Sequence, residues 1–220
     1  MTATTRRPTR PASNWRTSAA CQGVDLDTLF SDKTGTQERV QGICRGCPVR
    51  ATCLSDVLGY EVDSHMRWGV VGGLTTVQRR ALRCEALLGN RPNLRQARQL
   101  ASPMWASRMM PMRHRGLSPE QIAVELRKHR VIASAVTVRV AVWWAGGKGS
   151  VMPRRGPGDC RHLRELVRDE CQDVVYELRN LGAGSRDIAA YLQVSQVALG
   201  RAITAWRTEA AETVEAVAAA

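Results

Sequence analysis

One phenylalanine and three tyrosines are all the chain has of those residues, and aromatics make up only 5% of its 220 residues. With hydrophobic content at 44%, its cores must be aliphatic, and they are expected to be helical. No apolar run approaches the ~18 residues that a membrane-spanning helix needs, so no membrane segment is expected. The first sixteen residues are basic and polar and lack the apolar stretch of a secretory signal, which points to a cytoplasmic protein. Histidine is scarce as well. His65, His114, His129 and His162 are scattered with no serine or cysteine nucleophile arranged around them, and surface placement is expected for them. Neither an enzyme nor a small-molecule substrate is expected.

Acidic residues are missing from particular segments. Residues 1–20 carry four arginines and no acid, and residues 86–160 carry thirteen basic groups against three acidic ones. Residues 21–85 balance, residues 161–220 are slightly acidic, and the net charge of the whole is +12. A basic middle and a basic N-terminus favour a polyphosphate partner, so DNA is the expected partner.

Cysteine is plentiful, at seven. In a reducing compartment that number suggests metal or redox chemistry sooner than a disulfide scaffold. Four of the seven fall in one stretch: Cys21, then Cys44-Arg-Gly-Cys47-Pro48, then Cys53. On an uninterrupted helix Cys53 would lie about 180° round from Cys44, at roughly 100° per residue, and the two could not share a small ligand. Pro48 disfavours helix at Cys47 and suits the first turn of a new helix. Cys44 and Cys47 then close one helix (about Gln37 to Ile43, after a polar loop over 31–37), while Cys53 rides on the next, which runs to about Leu58. Four thiolates with one C-x2-C can hold an iron–sulfur cluster, a zinc ion or two disulfides, and spacing alone leaves the choice open. A thiol oxidoreductase using Cys44 and Cys47 is weaker, because the strand–helix–strand setting of such a site is absent.

Beyond the cysteines, Gly69-Val-Val-Gly-Gly73 reads as a tight turn needing positive φ. Thr75-Thr-Val-Gln78 has capping-box form and starts a helix to about Leu88, with Val77, Ala81, Cys84 and Leu88 on its apolar face. Arg79 and Arg83 are expected roughly opposite, with Arg80 at the margin, on a charged face available to phosphate. Cys84, Cys160 and Cys171 are expected to be core residues.

This region resembles the WhiB-like family of actinobacteria and their phages. The matching residues are Ala20-Cys21, Asp25-Leu-Asp-Thr-Leu-Phe30, Ile43-Cys-Arg-Gly-Cys-Pro-Val49, Cys53-Leu54, Gly69-Val-Val-Gly-Gly-Leu-Thr75 and Arg79-Arg80. The resemblance implies a 4Fe–4S cluster, sensitive to oxygen and nitric oxide, held by Cys21, Cys44, Cys47 and Cys53. It also implies transcriptional regulation, often through the principal sigma factor of RNA polymerase. The family turn usually reads Gly-Val/Ile-Trp-Gly-Gly. Here Val71 stands at its centre and Trp68 is the nearest tryptophan, so Trp68, Gly69, Val71, Gly72 and Gly73 are the candidate turn and partner contacts.

Residues 90–116 are basic and punctuated by proline, with short helices expected over Leu94–Ala101 and Trp105–Met110, and with Met104, Met109, Met110 and Met112 as packing residues. An internal repeat follows. Ser118-Pro-Glu-Gln121 caps a helix bearing Ile122, Ala123 and Leu126, and Ser134 precedes Val138 and Val142. Ile188, Ala189 and Leu192, then Ser195 before Leu199 and Ile203, repeat that spacing after a helix over about 161–181. Its apolar stripe is Leu163, Leu166, Val167, Val174, Leu178 and Leu181. Helix, turn and capped helix make a helix-turn-helix pattern that resembles bacterial regulators. Strict alternation of Val136, Val138, Val140 and Val142 offers a strand as the rival reading of the first copy. Thr137 and Arg139 in the first copy and Gln196, Arg201 and Thr204 in the second are the base-contact candidates. Arg154 and Arg155 are candidates for a minor-groove arm. The expected organisation is all-α: a basic arm (1–13), a cluster domain (14–89), a helix-turn-helix-like unit (90–145), a linker (146–159), a second such unit (160–212) and a tail (213–220).

Overall fold

Caps and prolines decide where the helices begin. The structure, a computed structural model, describes residues 14–61, 68–146 and 163–218. Within them the chain is helical, and the one β-type contact is the isolated bridge between Val71 and Leu74. The expected basic arm, the body of the linker, Cys160, His65, His162, Arg154 and Arg155 lie outside the described residues.

After a 3-10 turn at Trp15–Ser18 comes α1 (Leu26–Leu29), capped by the Asp25 carboxylate accepting from the Thr28 N–H. The next helix, α2 (Thr34–Arg45), starts earlier than Gln37, because the Gln37 N–H bonds to the Lys33 carbonyl and extends the first turn. Pro48 separates it from α3 (Arg50–Tyr60) as expected. Both halves of the capping box at Thr75 and Gln78 are formed at the start of α4 (Thr76–Leu87).

The inner face of α4 is the expected one at Ala81, Cys84 and Leu88 but not at Val77 or Arg79. Val77 is exposed, and Arg79, Ala81, Leu82, Cys84 and Glu85 are buried. Arg79 is fully buried, so it is not a phosphate contact. Its guanidinium donates to both Glu61 oxygens at 3.0 Å and to the carbonyls of Trp68, Gly69 and Leu74. A buried arginine is tolerated when its fork is satisfied in this way.

Four helices follow: α5 (Leu94–Leu100), α6 (Pro103–His114), α7 (Pro119–Arg127) and α8 (Ala135–Trp144). α6 outruns its expected span at both ends, starting on Pro103 at its first turn and continuing past Pro111. Met109 is core, whereas Met104 is exposed. Ser134 caps α8, and its valine alternation is accommodated as a helix because α5, α6 and α7 pack round it and bury Val136 through Trp144. A helix apolar on all sides belongs in a core. This corrects the placement of Thr137 and Arg139 on a DNA-facing surface. Thr137 is fully buried and its hydroxyl accepts from the Asn93 N–H at 3.0 Å. Arg139 is buried against Glu85 and reaches Glu120 at 3.3 Å.

The helix expected over 161–181 is two, α9 (Leu163–Glu170) and α10 (Gln172–Asn180), broken at the buried Cys171. Val167, Cys171, Val175 and Leu178 supply its core face, while Val174 is half-buried and Leu181 is exposed. Then come α11 (Ser185–Leu192) and α12 (Gln196–Ala218), the latter continuing past residue 212 without a break.

Two cores result. One joins Leu54 and Val57 of α3, Leu74, and Ala81 and Leu82 of α4 to the side chains of α5–α8. It therefore runs across residue 89. The second gathers α9–α12 around Cys84 of the same α4. α11 lies along α4, with Asp187 facing Arg80 at 3.8 Å. In the repeat, Ile122, Ala123, Leu126, Val138 and Val142 are buried, as are Ile188, Ala189, Leu192, Leu199 and Ile203. The turns differ. Residues 128–134 separate α7 from α8, whereas only 193–195 separate α11 from α12, with Gln193 left-handed at φ 57°.

Arg139→Ala leaves Glu85 buried without its cation, and is expected to lower the unfolding free energy by about 3 kcal/mol. Chemical denaturation measures this.

A cavity lined by four cysteines

The four predicted cysteines come from four local settings. Cys21 follows the 3-10 turn, Cys44 ends α2, Cys47 sits in the turn before Pro48, and Cys53 lies in the first turns of α3. All four line one cavity of ≈ 510 Å³, whose remaining wall is largely apolar and includes Leu29, Phe30, Ile43 and Val70. Cys47 is buried and accepts from the Ala20 N–H at 3.5 Å, which draws the Cys21 segment in. Arg16 pairs with Asp56 of α3 at 2.8 Å and adds a surface tie for the same segment. Among the described residues, no three His, Cys, Asp or Glu side chains are placed to hold a single metal ion. The four thiols surround a space instead.

Burial pushes the Cys44 thiol up to about 11, and the backbone N–H of Gly73 works against that rise. Cys53 is likewise raised by burial and opposed by the Gly72 N–H. The glycine turn therefore lowers the cost of charging two of the sulfurs, against the effect of burial. Its shape explains the glycines. At φ +59° a Cβ on Gly72 would lie 2.6 Å from the Leu54 Cβ and 2.8 Å from its Cα. At φ +56° a Cβ on Gly69 would lie 2.3 Å from the Leu29 carbonyl oxygen. No residue with a side chain fits either place. Val71 is half-buried and lines the cavity, and Trp68, at 60% exposure, stands outside it.

Several members of this site are not legible as such in the sequence. Arg50 is buried at the start of α3, with Cys44 and Cys47 close enough to favour its charge, although burial lowers its guanidinium to about 10. It lies 4.2 Å from the centre of the Trp144 ring. Trp144 comes from α8, and its indole N–H donates to the Gly72 carbonyl at 2.8 Å. Arg98 of α5 donates to the Pro48 carbonyl at 2.6 Å. Gly72 and Trp144 are 72 residues apart, and no local pattern announces the pairing.

The other candidates lie elsewhere. Arg80 faces Asp187 and Arg83 is half-buried. Gln196, Arg201 and Thr204 are exposed along one side of α12, beside Gly200 and Arg207, while Leu199, Ala202, Ile203 and Trp206 face the core. His114 and His129 are exposed as expected, and Cys84 and Cys171 are buried as expected.

Fold and site together define an all-helical protein in which four cysteines ring one cavity and a helical extension is packed onto that domain. The family model described as transcription factor WhiB matches residues 15–82. The regulator WhiB4 of Mycobacterium marinum is 42% identical over 69 residues, covering 31% of this chain and 55% of that protein. WhiB2 of Mycobacterium tuberculosis is 33% identical over 76 residues, 34% of this chain and 81% of the relative. WhiB of Streptomyces coelicolor is 32% identical over 73 residues, 33% of this chain and 79% of the relative. The chain belongs to the WhiB family, whose curated relatives are named transcriptional regulators. It spans about half the length of the WhiB4 proteins, and the family-model match leaves α5–α12 outside. No solved structure gives a significant match. Among the described residues, no helix is long and apolar enough to cross a membrane.

Proposed function

We propose that the protein is a redox-responsive transcriptional regulator that holds a 4Fe–4S cluster through Cys21, Cys44, Cys47 and Cys53 and contacts DNA through α12. The observation that carries the reading is the convergence of four cysteines, from four separate settings, on one largely apolar cavity of ≈ 510 Å³. That space suits a ligand larger than one ion, and four thiolates are the donor set such clusters use. Thiols raised by burial stay protonated in the metal-free chain, so loading would release protons and couple binding to folding. Two amides and the Arg50 cation would offset the negative charge of four thiolates.

A bound cluster would supply sensitivity to oxygen or nitric oxide. The chain supplies the consequence. Cysteines released from a shared ligand no longer tie the Cys21 segment to α2 and α3, and the contacts of the α4 side with polymerase or DNA change with them. Val71 in place of the family's tryptophan leaves the exposed Trp68 as the aromatic side chain beside the turn for a sigma-factor contact. DNA binding is supported by the short turn before α12 and by the exposed Gln196, Arg201 and Thr204 near its N-terminal end. Exposed acids at Glu209 and Glu212 limit the contact to the first half of the helix.

Anaerobic purification with iron, sulfide and zinc analysis tests the cluster. About four iron and four sulfide per chain, bleached by air, is the expected result. One tight zinc without sulfide would overturn it. Arg201→Ala is expected to weaken DNA binding about tenfold, at ~1–3 kcal/mol for a base contact. An unchanged affinity at moderate salt in a filter-binding titration would remove α12 from the interface.

A further inference from the structure

Trp144 reaches the cysteine site by two routes. Its indole N–H donates to the Gly72 carbonyl at 2.8 Å, and the same peptide unit leads into Gly73, where an added Cβ would lie 3.3 Å from Cys44 Cβ. A donor on the carbonyl polarises the peptide and makes its amide a stronger donor towards the Cys44 sulfur beside it. In the second route, the Trp144 ring lies 4.2 Å from the Arg50 guanidinium and the Trp144 carbonyl accepts from Arg50 at 3.5 Å. Arg50 in turn lines the same cavity as Cys44 and Cys47. Packing closes the arrangement. A Cβ on Gly73 would lie 3.2–3.3 Å from Arg50 Cδ, Cys44 Cβ and Trp144 Cδ1 together.

We infer that Trp144 is a positioning residue of the four-cysteine site, supplied by the extension, that sets the Gly72–Gly73 peptide and Arg50 against Cys44 and links α8 to whatever the thiols hold. The inference deepens the cluster reading above and rests on it for its redox consequence. The rest of α8 is packed into the core of α5–α7, so a change at Cys44 meets a helix that cannot shift alone. The extension is thereby part of the ligand site, and the link runs in both directions.

Trp144→Phe keeps the ring and removes the N–H. In the metal-free full-length chain, hydrogen exchange at the Gly72 and Gly73 amides is expected to quicken several-fold, with exchange in α10–α12 unchanged. In the iron-loaded chain the midpoint potential is expected to move negative, because a weakened N–H···S bond stabilises the more negatively charged reduced form less. Arg50→Lys keeps the charge and loses the planar stack, and is expected to move the potential the same way without depending on the Trp144 substitution being tolerated. Wild-type exchange and wild-type potential in both variants would overturn the inference. A wild-type chain that takes up no iron or sulfide would sink the cluster reading instead, and the exchange measurement would still decide whether Trp144 positions the turn.

Discussion

A side chain at residue 72 would collide with the backbone of α3, and the missing one is the constraint on which the rest of the site depends. Because Gly72 carries no Cβ, the turn lies directly on Leu54, one residue beyond Cys53. That contact sets the next residue, Gly73, beside Cys44 and presents the Gly72 carbonyl to the indole N–H of Trp144. The other side of the turn is held by Arg79, which gathers the carbonyls of Trp68, Gly69 and Leu74 while neutralised by Glu61. Cysteines, turn and extension are thus brought together by one close approach of two backbones.

The extension is joined to the cysteine domain by interactions that cannot be traded singly. α4 gives Ala81 and Leu82 to one core and Cys84 to the other, and so serves both halves of the chain. Glu85, on the same helix, is buried against Arg139, with Glu120 close by. Burial also pushes the neighbouring Tyr191 hydroxyl of α11 up to about 12. Removing one partner of such a buried network costs far more than the network adds over apolar residues. This makes the junction specific rather than merely sticky.

Much of the site is legible in the sequence because its cause is local. The Pro48 break, the capping boxes at Thr75 and Ser118, the glycine turn and the inward and outward faces of α12 each follow from a few neighbouring residues. The misplaced polar residues share one physical origin. Arg79, Thr137 and Arg139 are polar, and polar residues read as solvent-facing until a distant partner is known. Their partners are Glu61, Asn93 and Glu85, and periodicity carries no information about them. Trp144 against Gly72 is the extreme case, a contact between residues far apart in sequence. The division of the 161–181 helix at Cys171 has no proline or glycine to announce it.

X-ray absorption on the intact chain, purified without air, bears most directly on the central claim that the four cysteines surround a cluster. Iron with about four sulfur neighbours and a second shell of iron is the predicted result, lost when Cys44 is replaced by serine. Zinc in a shell of four sulfurs at ~2.3 Å, with no iron bound, would contradict it.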